Sequence, residues 1–383
     1  MGLECADDHP DSDGSAEGLS RRRVLSAMAA SAVAAAAAPL LGRLPSAAAT
    51  PPGGRTSSAA LSLSILGTNA GPPPLADRYG VSSALVVNGK TYVVDCGRGS
   101  VTQFLKAGLS MPSLTGIFLT HLHADHVVDY FSYPLLSAGA AGAAGFAGPV
   151  GVYGPGGVGR PATVASATGA VPGTVEMTRL LGQAFAASPT YFMTEHAGID
   201  PLSTLQVHDV LPPASVGATM TNTAPAMQPF PVMEDDNVKV TAVLVPHGAV
   251  YPSYAYRFDT DHGSVVFSGD TAPTPNIPTL AQGADVLVHE ATYTAALAGL
   301  GLPPALLQHI KDVHTEVGLL GGIAAQSQVG TLVANHLGPG DPSVVSDATW
   351  RALLRDSARA GGFRGEMVLG TDLLQLPVVP KRR

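Results

Sequence analysis

Cysteine, charged residues and aromatic residues are all scarce in this chain. Of its 383 residues, two are cysteines, 13% are charged and 5% are aromatic. Cys5 lies in an N-terminal segment that we expect to be removed, which leaves Cys96 without a partner and excludes an intramolecular disulfide. The hydrophobic content of 45% is ample for the core of one large domain or two modest ones.

Positive charge is also in short supply. The formal net charge is −8, and removal of residues 1–49 takes away six acidic and four basic side chains, which leaves −6. A chain of that sign has no broad electrostatic reason to hold nucleic acid. We therefore expect a small-molecule substrate and no nucleic acid partner, with association into a homodimer left open.

No apolar run in the chain is a convincing membrane span. The uncharged stretch Ala27–Gly42 is too short and too rich in alanine for one. It follows Ser20–Leu25, which resembles a twin-arginine export motif, and precedes the small-residue cleavage site Pro45–Ala49. These features predict a signal peptide over residues 1–49, a spacer over 50–60, and a periplasmic or secreted protein without a stable membrane anchor.

The most informative segment is Thr120–His126, which reads Thr-His-Leu-His-Ala-Asp-His. In an extended chain, His121 and His123 project to the same side, and Asp125 and His126 follow where the chain turns toward a helix. Four potential ligands this close together favour two metal ions over one. Imidazole and carboxylate suit zinc, with manganese or ferrous iron as alternatives.

This segment matches the HxHxDH signature of the metallo-β-lactamase-fold hydrolases. Further segments resemble the ribonuclease Z and arylsulfatase-like branch of that family in their order along the chain, and the resemblance extends from about residue 61 onward. The segments are Leu66–Pro74, Val93–Gly97, Val245–Gly248, Ala255–Phe258, Phe267–Thr271, Val288–Ala291 and Ala334–Leu337.

The resemblance implies a complete set of metal ligands. It assigns one ion to His121, His123 and His247 and the other to Asp125, His126 and His336, with Asp270 bridging both. Apolar runs independently precede three of these residues, namely His247, Asp270 and His336. Strand ends are where a rigid sheet can present ligands to a cleft.

Three further residues receive roles by the same resemblance. His314, in Asp312–Glu316, corresponds to a histidine that stands beside the metals and would act as a general acid. The alternative is a histidine at the start of a helix, capped by Asp312 or Thr315. His289 and Glu290 are predicted to orient neighbouring groups rather than to react.

The implied fold is an α/β protein, a four-layer αβ/βα sandwich over residues 61–383. Short β-rich runs alternate with turns from Leu61 and again from Val238, which suits two halves of this kind. Residues from about 135 to 236 are the least regular and are predicted to form a lid or insert. Only Arg179 is basic between residues 161 and 236, unlike the basic arm that grips tRNA in ribonuclease Z.

The expected activity is that of an exported dinuclear-zinc hydrolase. A metal-bridging hydroxide, oriented by Asp125, would attack a sulfate ester or a phosphodiester, and His314 would protonate the leaving oxygen. A lactonase or other carboxylic ester hydrolase would use the same seven ligands and remains an alternative. A ribonuclease Z-type endonuclease and a non-catalytic metal-binding protein rank lower.

Overall fold

The computed structural model describes residues 59–138, 145–158, 170–195 and 198–380. The predicted signal peptide and nearly all of the predicted spacer lie outside these residues. Among the helices of the described ranges, none has both the length and the apolar character that crossing a membrane requires.

Two seven-stranded mixed sheets make up the centre of the protein. The first sheet has the strand order β14-β1-β2-β3-β4-β5-β6. Its strands are β1 (Leu61–Gly67), β2 (Ser82–Val87), β3 (Lys90–Val94), β4 (Leu114–Phe118), β5 (Val150–Pro155), β6 (Leu205–Val210) and β14 (Leu374–Pro377). β1 pairs with β2 and β14 in antiparallel fashion, whereas β3 to β6 run parallel.

The second sheet has the order β13-β12-β11-β10-β9-β8-β7. Its strands are β7 (Phe230–Glu234), β8 (Lys239–Leu244), β9 (Tyr254–Thr260), β10 (Gly263–Phe267), β11 (Val286–Thr292), β12 (Thr331–Gly338) and β13 (Glu366–Leu369). β10 to β13 are parallel, and β7, β8 and β9 are antiparallel to their neighbours.

Helices pack on both sheets. They are α1 (Ser100–Lys106), α2 (Ala124–Val127), α3 (Ser132–Ala138), α4 (Thr174–Ala184), α5 (Ala187–Glu195), α6 (Asn276–Ala281), α7 (Thr294–Gly299), α8 (Pro304–Val313), α9 (Leu320–Ser327) and α10 (Asp347–Gly361). α1 and α4 contact the first sheet, and α6, α9 and α10 contact the second. The arrangement confirms the predicted α/β sandwich.

The main core lies between the two sheets. Phe118 of β4 packs edge-on against Phe258 of β9, with ring centroids 4.9 Å apart, and against Tyr256 at 5.6 Å. All three side chains are buried, as is Tyr254. Aromatic pairs of this geometry add to the stabilisation that their burial provides. Tyr254 and Tyr256 therefore belong to the core, not to a substrate pocket.

The range predicted as a lid or insert contains three strands of the sheets, β5, β6 and β7. β5 and β6 are short and buried chiefly through pairing with neighbouring strands, so their sequences carry little periodic signal. The helix expected from residue 315 to 327 begins later. A single 3-10 turn, Val317–Leu319, comes first, and α9 follows it.

Candidate metal centre

The chemistry-bearing residues meet at one edge of the sandwich, because each follows or ends a strand. Asp95 follows β3, His121 follows β4 closely, His247 follows β8 and Asp270 follows β10, while His336 lies near the end of β12. Side chains at the carboxyl ends of strands in facing sheets converge on a common cleft. The two sheets thereby supply opposite walls of one site.

The extended run predicted to carry His121 and His123 ends earlier than expected. β4 stops at Phe118, because the next residues bond to other groups: the Thr120 amide donates to Oδ1 of Asp95 at 2.8 Å. His121 is fully buried in the resulting loop, whereas His123 is exposed and caps the N-terminus of α2. α2 then carries Asp125 and His126, as the pattern predicts.

One carboxylate oxygen, Oδ2 of Asp270, lies at the centre of the cluster. It is 3.3 Å from Nε2 of His126 and of His336, 3.8 Å from Nε2 of His247 and 3.9 Å from Nε2 of His121. Gly269, at φ 59°, makes the turn before it, and a Cβ there would lie 2.7 Å from the Tyr254 carbonyl oxygen. A side chain at residue 269 would therefore move Asp270.

The potential ligand atoms fall into two groups, within each of which they lie within 4.8 Å of one another. The first group is His121, His123 and His247, and the second is Asp125, His126, Asp270 and His336. Nε2 of His247 lies 3.2 Å from Nδ1 of His123, and Nε2 of His336 lies 3.3 Å from Oδ2 of Asp125. The side chains are positioned to bind metal ions, while the assignment of each to a particular ion stays a prediction.

A β-bulge presents His336 to this cluster. Glu290 of β11 pairs with Asn335 of β12 and Ala291 pairs with Leu337, so His336 is the extra residue between two pairs. Its φ of 42° is in the left-handed region, which few non-glycine residues adopt. Bulges beside functional sites commonly redirect a side chain, and strained backbone collects there.

Several of the imidazoles are held by a second partner on the side away from the cluster. Nδ1 of His126 lies 2.8 Å from Oδ2 of Asp95, which also accepts a hydrogen bond from the Thr120 hydroxyl. Nδ1 of His247 donates to the Val313 carbonyl oxygen at 3.0 Å. Such partners select the tautomer that leaves Nε2 free to bind a metal. The sequence contained Asp95 in a recognised turn, but nothing local linked it to His126.

Unpartnered polar atoms test whether the residues suit metal ions. Within the described ranges, Nε2 of His121, Nε2 of His126 and Oδ1 of Asp270 are buried and have no hydrogen-bond partner. All three belong to the cluster. Buried polar atoms are otherwise nearly always hydrogen-bonded, so an unpaired set of lone-pair donors is what a cation site requires. The residues therefore fit a pair of divalent cations.

Charge in the cluster points the same way. Burial alone would raise the pKa of Asp270, but the imidazoles of His336 and His126 hold it well below its usual range. Burial together with the neighbouring His126 ring lowers the pKa of His121, which favours its neutral, metal-binding form. A buried anion among neutral imidazoles needs a compensating positive charge.

Beside the cluster, His314 and Glu290 form a pair. Nδ1 of His314 lies 3.0 Å from both carboxylate oxygens of Glu290, which is buried and also accepts from the Thr271 amide. Burial alone would lower the pKa of His314, but Glu290 and then Asp270 raise it to about 9. His314 is thus held as a proton donor. It caps the end of α8, so the alternative of a helix-entry histidine is wrong.

The loop before β2 touches the cluster at Asp125. The Gly71 amide donates to Oδ2 of Asp125 at 2.9 Å, and a Cβ at residue 71 would overlap the Asp125 side chain. Arg257 lies elsewhere: it pairs with Asp259 at 2.9 Å and donates to the carbonyl oxygens of Leu280 and Gln282. Arg257 is therefore the structural ion-pair partner that the sequence indicated.

Comparison with known proteins identifies the class. A family model described as a beta-lactamase superfamily domain matches residues 187–337, and one described as anti-Pycsar protein Apyc1 matches residues 61–129. Among solved structures, human tRNase Z, short form, superposes with a TM-score of 0.55 at 19% identity over 83% of this chain and 99% of that one. The metallo-beta-lactamase fold protein YhfI from Bacillus subtilis gives 0.53 at 16% identity over 82% and 99%.

Fold and site together define a metal-dependent hydrolase of the metallo-β-lactamase fold. The chain is 30% identical to ribonuclease Z of Mycobacterium avium over 320 residues, which are 83% of this chain and 98% of that protein. It is 29% identical to ribonuclease Z of Mycobacterium bovis over 326 residues, 84% of this chain and 100% of that protein. The chain belongs to the ribonuclease Z family.

These relatives correct one expectation from the sequence. The prediction of a small-molecule ester substrate with no nucleic acid partner is wrong, because the proteins that match over more than four fifths of the chain are ribonucleases. The error came from using net charge as a guide to substrate. Net charge describes the whole surface, and it leaves out the cations that a buried cluster of ligands would add at the site itself.

Proposed function

We propose that this protein is a dinuclear-zinc phosphodiesterase that cleaves RNA. The observation that carries the proposal is the position of the Glu290–His314 pair beside the seven-residue cluster, because it places a proton donor next to a candidate two-metal site. The similarity to ribonuclease Z along most of the chain supports RNA as the substrate class. Of the two tetrahedral esters expected from the sequence, the phosphodiester is the one that RNA contains.

The roles of the residues follow from their positions. His121, His123 and His247 would hold one zinc ion and Asp125, His126 and His336 the other, with Asp270 between them. Bound zinc ions supply an acidified water and offset negative charge on the phosphate oxygens. Asp125 is 12% exposed at its side chain and would orient the attacking water as well as bind metal.

His314 would complete the reaction at the leaving group. Glu290 fixes the ring through Nδ1, which leaves Nε2 as the atom that can donate a proton. As the water oxygen bonds to phosphorus and the bond from phosphorus to the ribose oxygen breaks, Nε2 would protonate the departing oxygen. The products are a phosphate monoester and a free hydroxyl group.

A substrate comparison tests the proposal. Zinc-loaded protein would be assayed with a labelled structured RNA, a DNA of the same sequence, bis(p-nitrophenyl) phosphate, p-nitrophenyl sulfate and a lactone. We expect turnover of the RNA and the aryl phosphodiester, and elemental analysis should find two zinc ions per chain. The Asp270→Ala variant, purified in parallel, controls for contaminating nucleases. Hydrolysis of the sulfate or the lactone without cleavage of RNA would refute the proposal.

We also propose that residues 1–49 direct export through the twin-arginine route. The basis is the pair Arg21 and Arg22 within Ser20–Leu25, followed by a weakly hydrophobic run. A reporter fused to residues 1–49 should be exported, and Arg21→Lys together with Arg22→Lys should block export. Arg43→Lys is the matched control and should have no effect. Equal export of the double variant and the native leader would exclude this route.

A further inference from the structure

A small cavity lies behind the metal cluster, on the side that faces the space between the two sheets. Its volume is about 30 Å³. The cluster residues His126, Asp270 and His336 form one part of its lining, and His289 and Asn335 contribute another. A cavity needs roughly 10 to 15 Å³ to hold a water molecule, so this one has room for one or two.

Three polar atoms of the lining residues are unsatisfied. Nε2 of His289, Oδ1 of Asn335 and Nδ1 of His336 are buried and have no hydrogen-bond partner among the described residues. The exposed fractions of these residues are 1%, 3% and 4%. They are also neighbours in the sheet, because His289 pairs with Ala334 and Asn335 precedes the bulged His336. Three such atoms around one cavity point to a shared partner.

The hydrogens on these atoms can be assigned from the other contacts of each side chain. Nδ1 of His289 lies 2.8 Å from the Glu290 carbonyl oxygen, which only accepts, so Nδ1 carries the hydrogen and Nε2 of the neutral ring is an acceptor. Oδ1 of Asn335 is likewise an acceptor. Nε2 of His336 faces Asp125 and Asp270 at 3.3 Å, so a metal-binding ring carries its hydrogen on Nδ1.

The cavity is thus lined by one donor and two acceptors, which is the complement of a single water molecule. We propose that an internal water accepts a hydrogen bond from Nδ1 of His336 and donates to Nε2 of His289 and Oδ1 of Asn335. His289 and Asn335 are then positioning residues that orient the metal ligand His336 through this water. The inference rests on the metal-binding role proposed for His336.

The arrangement gives His336 what its counterparts obtain directly. Asp95 orients His126, and the Val313 carbonyl oxygen orients His247. A direct partner at His336 would have to follow the bulged backbone of β12, whereas a water can adapt to it. Outer partners of metal-binding histidines change metal affinity by about 10- to 100-fold when they are removed.

Metal affinity tests the proposal, measured by competition with a chelator. His289→Phe removes the acceptor at similar volume, and we expect about 10- to 100-fold weaker binding of one of the two zinc ions, with the other unchanged. His289→Gln retains a side-chain acceptor and should recover most of the affinity. His309→Phe, a change at a histidine outside the cluster and the cavity, is the control. Unchanged affinity in His289→Phe and in Asn335→Leu would overturn the proposal.

A second measurement does not depend on how the variants fold. A high-resolution crystal structure of the wild-type zinc protein should show a water within hydrogen-bond distance of Nδ1 of His336, Nε2 of His289 and Oδ1 of Asn335. A direct protein partner at Nδ1 of His336, or a dry cavity, would exclude the water. The outcome is separable from the proposed function, because zinc binding and the water can be found in a protein that fails to cleave RNA.

Discussion

Oδ2 of Asp95 lies 2.8 Å from Nδ1 of His126, and both side chains are buried. Asp95 reaches this position from the end of β3, with its backbone at φ 59°, while His126 comes from α2. The same carboxylate accepts hydrogen bonds from the amide and the hydroxyl of Thr120. One side chain therefore orients a candidate metal ligand and shapes the loop that carries His121.

This relationship predicts the effect of Asp95→Asn. The amide keeps an oxygen for Thr120 but loses the charge that orients His126, so metal affinity or activity should fall by about 10- to 100-fold. Zinc titration and turnover of an aryl phosphodiester would measure the loss. Asp312→Asn, on the exposed side of α8, should leave both unchanged. Normal zinc affinity in Asp95→Asn would show that the contact is not needed to orient His126.

Asp270→Ala should abolish activity and reduce bound metal. The carboxylate lies between four imidazoles, and its loss would leave two cations without their shared counter-charge. Elemental analysis after gel filtration gives the metal content. Asp356→Ala removes an exposed carboxylate on α10 and serves as the control. Two tightly bound ions in Asp270→Ala would contradict a bridging role.

His314→Ala should keep both metals and lower the rate by about 10²- to 10⁴-fold if this residue is the general acid. The loss should shrink as the leaving group becomes more acidic, since a good leaving group needs no proton. Rates with a nitrophenolate and with an alkoxide leaving group provide the comparison. Equal losses for the two would assign His314 a positioning role instead.

Glu290→Gln tests the partner of His314 separately. The amide cannot hold the imidazole with the same charge, so the activity that depends on the proton donor should fall while metal content is unchanged. The dependence on leaving group should resemble that of His314→Ala. A double variant no slower than His314→Ala alone would show that Glu290 acts through His314.

Gly71→Ala should damage the site through Asp125. A Cβ at residue 71 would overlap the Asp125 side chain and displace it, and crowding of this kind typically costs about 1 to 3 kcal/mol of the free energy of unfolding. Thermal unfolding and zinc content would both be measured. Gly322→Ala in α9 is the matched control, because its Cβ meets no atom within 4 Å. Retention of full zinc content by Gly71→Ala would show that the loop adapts.

Chelation should lower the thermal stability of the wild-type protein. Cations that bind only the folded chain stabilise it by about 2.7 kcal/mol at a free concentration 100 times Kd. Melting temperatures with and without a chelator, followed by addition of zinc, would test this. Asp270→Ala should show little response to the chelator. A wild-type melting temperature that does not change would argue against structural coupling between the metals and the fold.

Much of the fold could be predicted from the sequence. The alternating apolar runs that form β1, β2, β3, β9 and β10 were identified close to their observed bounds, because each combines a regular pattern with clear turns. β5 and β6 were not identified. Their pairing depends on neighbouring strands more than on a pattern of their own, and they lie in a stretch rich in glycine, alanine and proline.

The sequence by itself determined the chemistry available at the site. The ligand-rich segment Thr120–His126 and the residues His247, Asp270 and His336 are recognisable from their local contexts, since short motifs and strand ends are properties of neighbouring residues. Only the tertiary structure decided how they are oriented. The link from Asp95 to His126, the pair of Glu290 and His314, and the bulge at His336 join residues that are distant in the chain or depend on strand register, which no local pattern records.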